Sequence, residues 1–196
     1  KEADDVVVVT GDSEIEHHCG VNNIPFTFKA LAENGTQRCY AATYSYPADV
    51  VINWQVDEPG ANPEDVDRMI RSLKGLPNKL AIKTLVGSTN GDFEKNSGPE
   101  LVKCIVSETG RVHWFSRQWI TDSCSHVGVY GFSIESLRAI SSLPQSGYSK
   151  AEDLEQLTWI EHGYHIDAIG VASILLAINT KEGYDEWREE IETAGD

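Results

Sequence analysis

The sequence predicts an α/β fold: a mostly parallel, Rossmann-like sheet with an antiparallel excursion. Three observations carry that prediction. Val6-Val7-Val8-Val9 is an uninterrupted β-branched run, the kind that fills a strand buried on both faces of a parallel sheet, and residues 49–55, with Val50-Val51-Ile52 at their centre, read as another buried strand. Strand-like and helix-like segments alternate between them and on to Leu73, which predicts βαβ units with right-handed crossovers. Beyond that point the pattern changes to short strands joined by a tight turn.

Element by element, Thr10-Gly11-Asp12 ends the first strand, and Ser13 is placed to cap a short helix through Ile15. Residues 24–28 read as a second strand, and residues 36–46 carry small and aromatic side chains at helical spacing. After the strand at 49–55, Pro63 opens a helix in which Val66, Met69, Ile70 and Leu73 form one apolar stripe. Residues 101–106 and 111–115 flank Ser107-Glu108-Thr109-Gly110, a hairpin with glycine where positive φ is wanted. Residues 127–132 are a further strand. Residues 150–161 read as one amphipathic helix with Leu154, Leu157 and Ile160 inward, stopped by His162-Gly163. A last strand spans 164–171. A last helix spans 182–193, with Tyr184, Trp187 and Ile191 on its apolar side. Residues 174–178 are the longest apolar stretch, a buried strand or tight loop, and 86–99 and 145–148 are the soft segments.

Composition narrows the function. The chain has 196 residues, 40% apolar and 24% charged, with a formal charge of −15. That length can bury a core of its own, so a single domain over 1–196 is expected. So acidic a chain lacks the cations that displace counterions from a nucleic-acid backbone or an anionic membrane, so no nucleic acid and no membrane is the expectation. An anionic small ligand stays possible, because a few basic groups or a metal can reverse the local field. Cys19, Cys39, Cys104 and Cys124 are scattered without a Cys-x-x-Cys pair, which reads as a reduced, cytoplasmic inventory. Asn34-Gly35-Thr36 fits the glycosylation pattern without a secretory context to support it.

In open parallel sheets ligands bind beyond the carboxyl ends of the strands, which singles out Gln55-Val56-Asp57-Glu58-Pro59. A carboxylate there suits Mg²⁺ held between protein and substrate phosphates; equally, Asp57 could simply cap a strand-to-helix turn. His17-His18-Cys19 and His162-x-x-His165 lack the four-ligand spacing of a zinc site. Ser116 and Ser123 with His126 lack a nucleophile-elbow motif.

Asp49-Val-Val-Ile-Asn-Trp-Gln-Val-Asp-Glu-Pro59 resembles the Asn-x-Gln-Gly-Asp-Glu-Pro signature of the 3-deoxy-manno-octulosonate (Kdo) cytidylyltransferases. Val8-Val-Thr-Gly-Asp-Ser-Glu-Ile15, Asn34-Gly-Thr-Gln-Arg38, Leu101-Val-Lys103 with Trp114-Phe-Ser-Arg117, His126-Val-Gly-Val-Tyr-Gly-Phe132 and Leu154-Glu-Gln-Leu157 resemble further segments of that family, in the same order. The resemblance implies a nucleotidyltransferase sheet. It implies transfer of CMP from CTP to the anomeric hydroxyl of Kdo with release of pyrophosphate, a step of lipopolysaccharide biosynthesis. By the same analogy Gly35, Thr36, Arg38 and Gln55 surround the nucleotide, Asp57 is catalytic and binds Mg²⁺ together with Asn179, and His126, Tyr130 and Gln156 contact the sugar acid. Structural alternatives stand beside these roles: Arg38 as an exposed helix residue, His126 as a hydrogen-bonded core histidine, and Gln156, off the 154–157–160 stripe, on a solvated face. A homodimer is implied too, with Trp114, Trp119 and Tyr130 as aromatic anchors or as plain core.

Four departures from the family pattern matter. Members open with a strand and a Gly-, Arg- and Lys-containing loop around the triphosphate; the sequence starts at Lys1 and shows neither before Val6, so the domain is expected to be N-terminally incomplete relative to the family. Asn179 stands where the family has a second metal carboxylate, Val56 replaces the signature glycine beside Asp57, and Ser149 replaces a common glutamate. The alternatives to Kdo activation are therefore a non-catalytic homologue acting in binding or assembly, and a cytidylyltransferase for another acidic sugar.

Overall fold

The computed structural model of the chain describes residues 2–29, 31–76, 80–88, 101–172, 177–178 and 180–194. Strand β1 (Val8–Thr10) pairs in parallel with β2 (Phe26–Phe28) across helix α1 (Ser13–Val21). The cap of α1 is Asp12 rather than Ser13: with extended backbone at Asp12, its Oδ1 accepts from the amides of Glu14 (2.7 Å) and Ile15 (3.2 Å). The Val6–Val9 run is not buried on both faces as expected. Val6 is 81% exposed and Val8 and Val9 are half-buried, because among the described residues β1 pairs only with β2 and its other edge borders a cleft.

Helix α2 (Gly35–Ala42) starts on Asn34, whose Oδ1 accepts from the Gln37 amide at 2.9 Å. Strand β3 (Val50–Trp54) leads to α3 (Pro63–Lys74), which begins as expected with proline in its first turn and an asparagine cap, Asn62. Its Val66, Met69, Ile70 and Leu73 are all buried.

The main sheet has six strands in the order β3-β7-β4-β8-β6-β5, where β4 is Ile82–Ser88, β5 Lys103–Val106, β6 Arg111–Ser116, β7 Cys124–Ser133 and β8 Ile166–Val171. β4 and β8 pair in parallel, and β3 runs the same way, but β7 lies between β3 and β4 and runs against both. The mixed α/β sheet is as predicted in class. The antiparallel excursion, however, sits inside the parallel frame rather than beside it, so most ladders in this sheet are antiparallel. β5 pairs with β6 and with the first residues of β7, which curls β7, β4, β8, β6 and β5 into a closed ring. Gly110 turns the β5–β6 hairpin at φ +84°, the conformation its position called for.

β7 is buried on both faces and divides the core. Its Val127 and Val129 pack with Leu85 under α3. Its Tyr130 and Phe132 face α4 (Ile134–Ser141) and α6 (Gln156–Glu161), where both rings meet Trp159 edge-on at 5.2 and 5.6 Å. The expected single helix over 150–161 is two: α5 (Gly147–Glu152) and α6, separated by Asp153 in the left-handed region (φ 54°, ψ 48°). A final helix, α7 (Lys181–Ala194), carries Trp187 half-buried and Tyr184 exposed; the Ile191 side chain lies outside the described residues, as do 89–99 of the first soft segment and 174–176 of the apolar stretch. Among the described residues no helix is long and apolar enough to cross a membrane.

Gly131 is where α3 comes closest to the sheet: a Cβ there would meet Met69 Sδ at 2.6 Å and Leu73 Cδ1 at 2.7 Å. Gly131→Ala is expected to destabilise the fold by about 1–3 kcal/mol through overpacking. Gly170→Ala on β8, where a Cβ meets nothing within 4 Å, serves as the neutral control. Urea midpoints of the two variants test the difference.

Candidate functional site

The site is built on an irregularity in β7. Opposite β4 the register jumps from Thr84–Tyr130 to Leu85–Val127, leaving Gly128 and Val129 unmatched on that side. The freed groups turn to the end of β3: Gly128 O accepts from the Gln55 amide at 3.1 Å, and Gly128 N donates to Glu58 Oε1 at 2.7 Å. Trp54 Nε1 donates to Glu58 O at 2.8 Å and pins the same turn. The backbone comes close to both side chains here: a Cβ on residue 128 would overlap the Gln55 side-chain Oε1 and lie 3.0 Å from Glu58 Oε1, so the Gln55 side chain would have to move. The turn projects Gln55, Val56 and Asp57 into a cleft of about 1630 Å³ bounded by β1, β3, β7 and the starts of α2 and α6.

Gly35, Arg38, Gln55, Asp57, His126, Tyr130 and Gln156 all line this cleft, so residues spread over 121 positions of sequence face one space. Thr36 lies just beneath its wall, 2% exposed. Asn179 lies outside the described residues; its neighbour Ile178 donates its amide to Asp57 O at 2.7 Å. Arg38 is half-buried on the cleft wall rather than exposed on a helix. Gln156 is 4% exposed, which excludes the solvated face. The helix break explains it. Arg117 Nε and Nη2 donate to the carbonyls of Glu152 (3.1 Å) and Asp153 (3.2 Å), its amide donates to Glu152 Oε2 (3.0 Å), and this clamp restarts the chain as α6 with Glu155 and Gln156 turned inward.

Several site residues escaped the sequence reading. Glu155 Oε1 accepts from Thr36 Oγ1 at 2.6 Å, tying the start of α6 to the start of α2; burial raises its carboxyl pKa, against the Thr36 hydrogen bonds and the Arg38 charge. Its signal was the glutamate beside Gln156 in Leu154-Glu-Gln-Leu157. Glu58 is 7% exposed and pushed up to about 7, mainly by burial and further by Asp57, while the Gly128 amide opposes the shift. Asn53, 9% exposed and on the cleft wall, has no hydrogen-bond partner for Nδ2 among the described residues, a buried donor that a ligand oxygen would satisfy. Burial lowers His126 to about 3, so its imidazole is neutral. Tyr130 is 1% exposed and packed within this chain, which removes it from the expected interface anchors; Trp114 packs edge-on against Tyr148 at 5.0 Å, and Trp119 is 40% exposed.

Among the described residues no three His, Cys, Asp or Glu side chains gather to hold a metal. At the strand-end turn Asp57 offers a carboxylate to the cleft, while Oε1 of its neighbour Glu58 is taken by the Gly128 amide. One carboxylate completed by ligand phosphates is a donor set that Mg²⁺ accepts, so the residues present fit the ion in that form.

A mixed sheet with a ligand cleft beyond β3, walled by helix starts, defines the nucleotidyltransferase class. The structure superposes on CMP:2-keto-3-deoxy-manno-octonic acid synthetase complexed with CTP with a TM-score of 0.85, at 26% identity, covering 97% of this chain and 81% of that one. The inositol-1-phosphate CTP transferase from T. maritima shares the fold at TM-score 0.62 and 13% identity, covering 96% of this chain and 75% of that one. The family profile described as cytidylyltransferase matches residues 1–166, and the chain belongs to that family. Among its relatives, the 3-deoxy-manno-octulosonate cytidylyltransferase of Elusimicrobium minutum is 32% identical, over 95% of this chain and 80% of its own length. That of Porphyromonas gingivalis is 32% identical over 78% of this chain; the match spans 66% of the relative, just under two thirds.

Glu58 gives a pH signature. Its carboxyl sits near 7 in the fold against an ordinary 4.5, so between those values the folded chain keeps a proton that the unfolded chain has released. The stabilisation is complete below the lower value and is lost as pH rises through the upper one. Glu58→Gln keeps an acceptor for the Gly128 amide and is expected to flatten this slope, by on the order of 2–3 kcal/mol across the window. Urea midpoints of both proteins at pH 5 and pH 8 measure it.

Proposed function

We propose that this chain carries the base and sugar side of a site that transfers CMP from CTP to the anomeric hydroxyl of Kdo. The observation that carries the reading is the convergence on one cleft of the residues that the family motifs single out, from Gly35 to Gln156. Relatives named 3-deoxy-manno-octulosonate cytidylyltransferase, and a structural match described as complexed with CTP, support it.

In the transfer, the anomeric oxygen forms a bond to the α-phosphorus of CTP, the bond from that phosphorus to the bridging oxygen breaks, and pyrophosphate leaves; the hydroxyl proton goes to solvent. Such transfers depend on alignment and on neutralising charge at the phosphates. Arg38 offers the positive charge on the α2 side. The Asn53 Nδ2 and the Gln55 amide offer neutral recognition of base or ribose, with Gly35 keeping the wall low: a Cβ there would come within 3.4 Å of Asn53 Nδ2. Gln156 and His126 face the acceptor sugar. Asp57, together with Asn179, would hold Mg²⁺, which would supply further neutralisation at the phosphates. Val56, 92% exposed at the cleft, replaces the family's glycine and narrows the approach to Asp57. Cytoplasmic location, a part in lipopolysaccharide synthesis and a homodimer, with Trp119 at its contact, belong to the same proposal.

CTP with Mg²⁺ is expected to raise the melting temperature, since a ligand at ~100 Kd adds about 2.7 kcal/mol. Pyrophosphate release with CTP and Kdo is expected, and Asp57→Ala should lower it by at least about 100-fold. Turnover with a sialic acid instead of Kdo would reassign the sugar. CTP binding without turnover on any 2-keto sugar acid would favour a binding role.

A further inference from the structure

Among the described residues the His126 ring has a polar contact with Thr84, and its surroundings constrain which nitrogen carries the hydrogen. Thr84 Oγ1 lies 3.0 Å from His126 Nε2 and 3.0 Å from Val129 O. A carbonyl only accepts, so the single hydroxyl proton of Thr84 goes to Val129 O. Towards the imidazole the hydroxyl is then left with lone pairs, and Nε2 must carry the hydrogen. The reverse assignment would leave two oxygen lone pairs facing each other at 3.0 Å in a fully buried place, since Thr84 is 0% exposed. The carbonyl is available because the β7 bulge takes Val129 out of the β4 ladder. The ring's one acceptor is then Nδ1, on a residue that lines the cleft.

We propose that Thr84 is a positioning residue that holds His126 in the Nε2–H tautomer, so that Nδ1 accepts a hydrogen bond from a hydroxyl of the acceptor sugar. This rests on the sugar occupying the cleft, as in the proposed function. It assigns His126 to a hydroxyl and not to the sugar's carboxylate, which a bare ring nitrogen repels and which must find its donors elsewhere. The surroundings support a neutral ring. Phe115 on β6 and Tyr130 on β7 lie 5.1 Å from it, Val102 O takes its backbone amide, and burial without a charged neighbour lowers its pKa to about 3.

The test reads the ring nitrogens directly, by long-range ¹H–¹⁵N correlation on the labelled chain. The expected result is a protonated Nε2 and a bare Nδ1, unchanged from pH 8 to pH 5. A protonated Nδ1, or an imidazolium appearing near pH 6, would overturn the proposal. Thr84→Val should yield mixed tautomers, and Thr84→Ser, which keeps the hydroxyl, should restore the single one; an unchanged tautomer in a folded Thr84→Val chain also overturns it. Adding Kdo should move Nδ1, whereas Kdo-induced shifts elsewhere without a change at Nδ1 overturn the hydroxyl assignment. If Kdo moves no resonance, the substrate reading of the site fails and the role proposed for Nδ1 fails with it, while the ring spectra separately decide whether Thr84 sets the tautomer. In turnover assays Thr84→Val is expected to raise KM for the sugar about 3- to 10-fold and leave KM for CTP unchanged.

Discussion

Everything at the cleft depends on two residues of β7 that β4 does not pair. An uninterrupted ladder would consume the amide and carbonyls of Gly128 and Val129. Because the register jumps there, those groups reach sideways: Gly128 to Gln55 and Glu58, Val129 to Thr84. One backbone irregularity thereby fixes the strand-end turn that carries Asp57 on one side and the ring of His126 on the other. The bulge is stable because both faces of β7 are buried in core, so its displaced polar groups had to find protein partners. A glycine at its apex lets two side chains from the facing turn approach closely.

A chain with a formal charge of −15 holds its buried carboxylates in two different ways. Glu155 accepts from Thr36 and feels the Arg38 charge, and it ties the start of α2 to the start of α6 across the cleft wall. Glu58 has a single amide donor and the like charge of Asp57 beside it, so its carboxyl rises into the neutral range. The consequence for an anionic ligand is local. Protonation of Glu58 halves the charge of the Asp57–Glu58 pair, which lowers repulsion toward phosphate when the site is empty, while a cation beside Asp57 would favour the ionised pair.

What the sequence made legible was what local chemistry decides. The α3 stripe, its proline start and the Gly110 turn depend on a few neighbouring residues, and they formed as expected. The strand before Asp57 was equally clear, because an apolar run ending in charged residues and proline has few other readings. The failures were tertiary. Leu154, Leu157 and Ile160 fit one helix by spacing, and nothing local announces that Arg117, over thirty residues earlier, would hold Asp153 in the left-handed region. Without that break the spacing left a solvated face open for Gln156 beside its place in the site, and Glu155 went unnoticed. Val6 to Val9 have the composition of a strand buried on both faces, but composition says nothing about which partners flank a strand, and an open edge leaves Val6 in solvent. The bulge was illegible for a related reason: a glycine in a strand is compatible with a kink, a close contact or neither.

The two histidine readings that sequence left open, core residue or ligand contact, are not alternatives in this geometry. A histidine that met the cleft with both nitrogens free would exchange tautomers and titrate near neutral pH, presenting donor and acceptor by turns. Burying one edge against Phe115, Tyr130 and Thr84 removes that ambiguity. The desolvation that makes His126 look like core is what gives its remaining nitrogen one defined polarity. Core packing and recognition are thus performed by opposite edges of the same ring, and the threonine that joins them is reachable only because β7 gave up Val129's carbonyl.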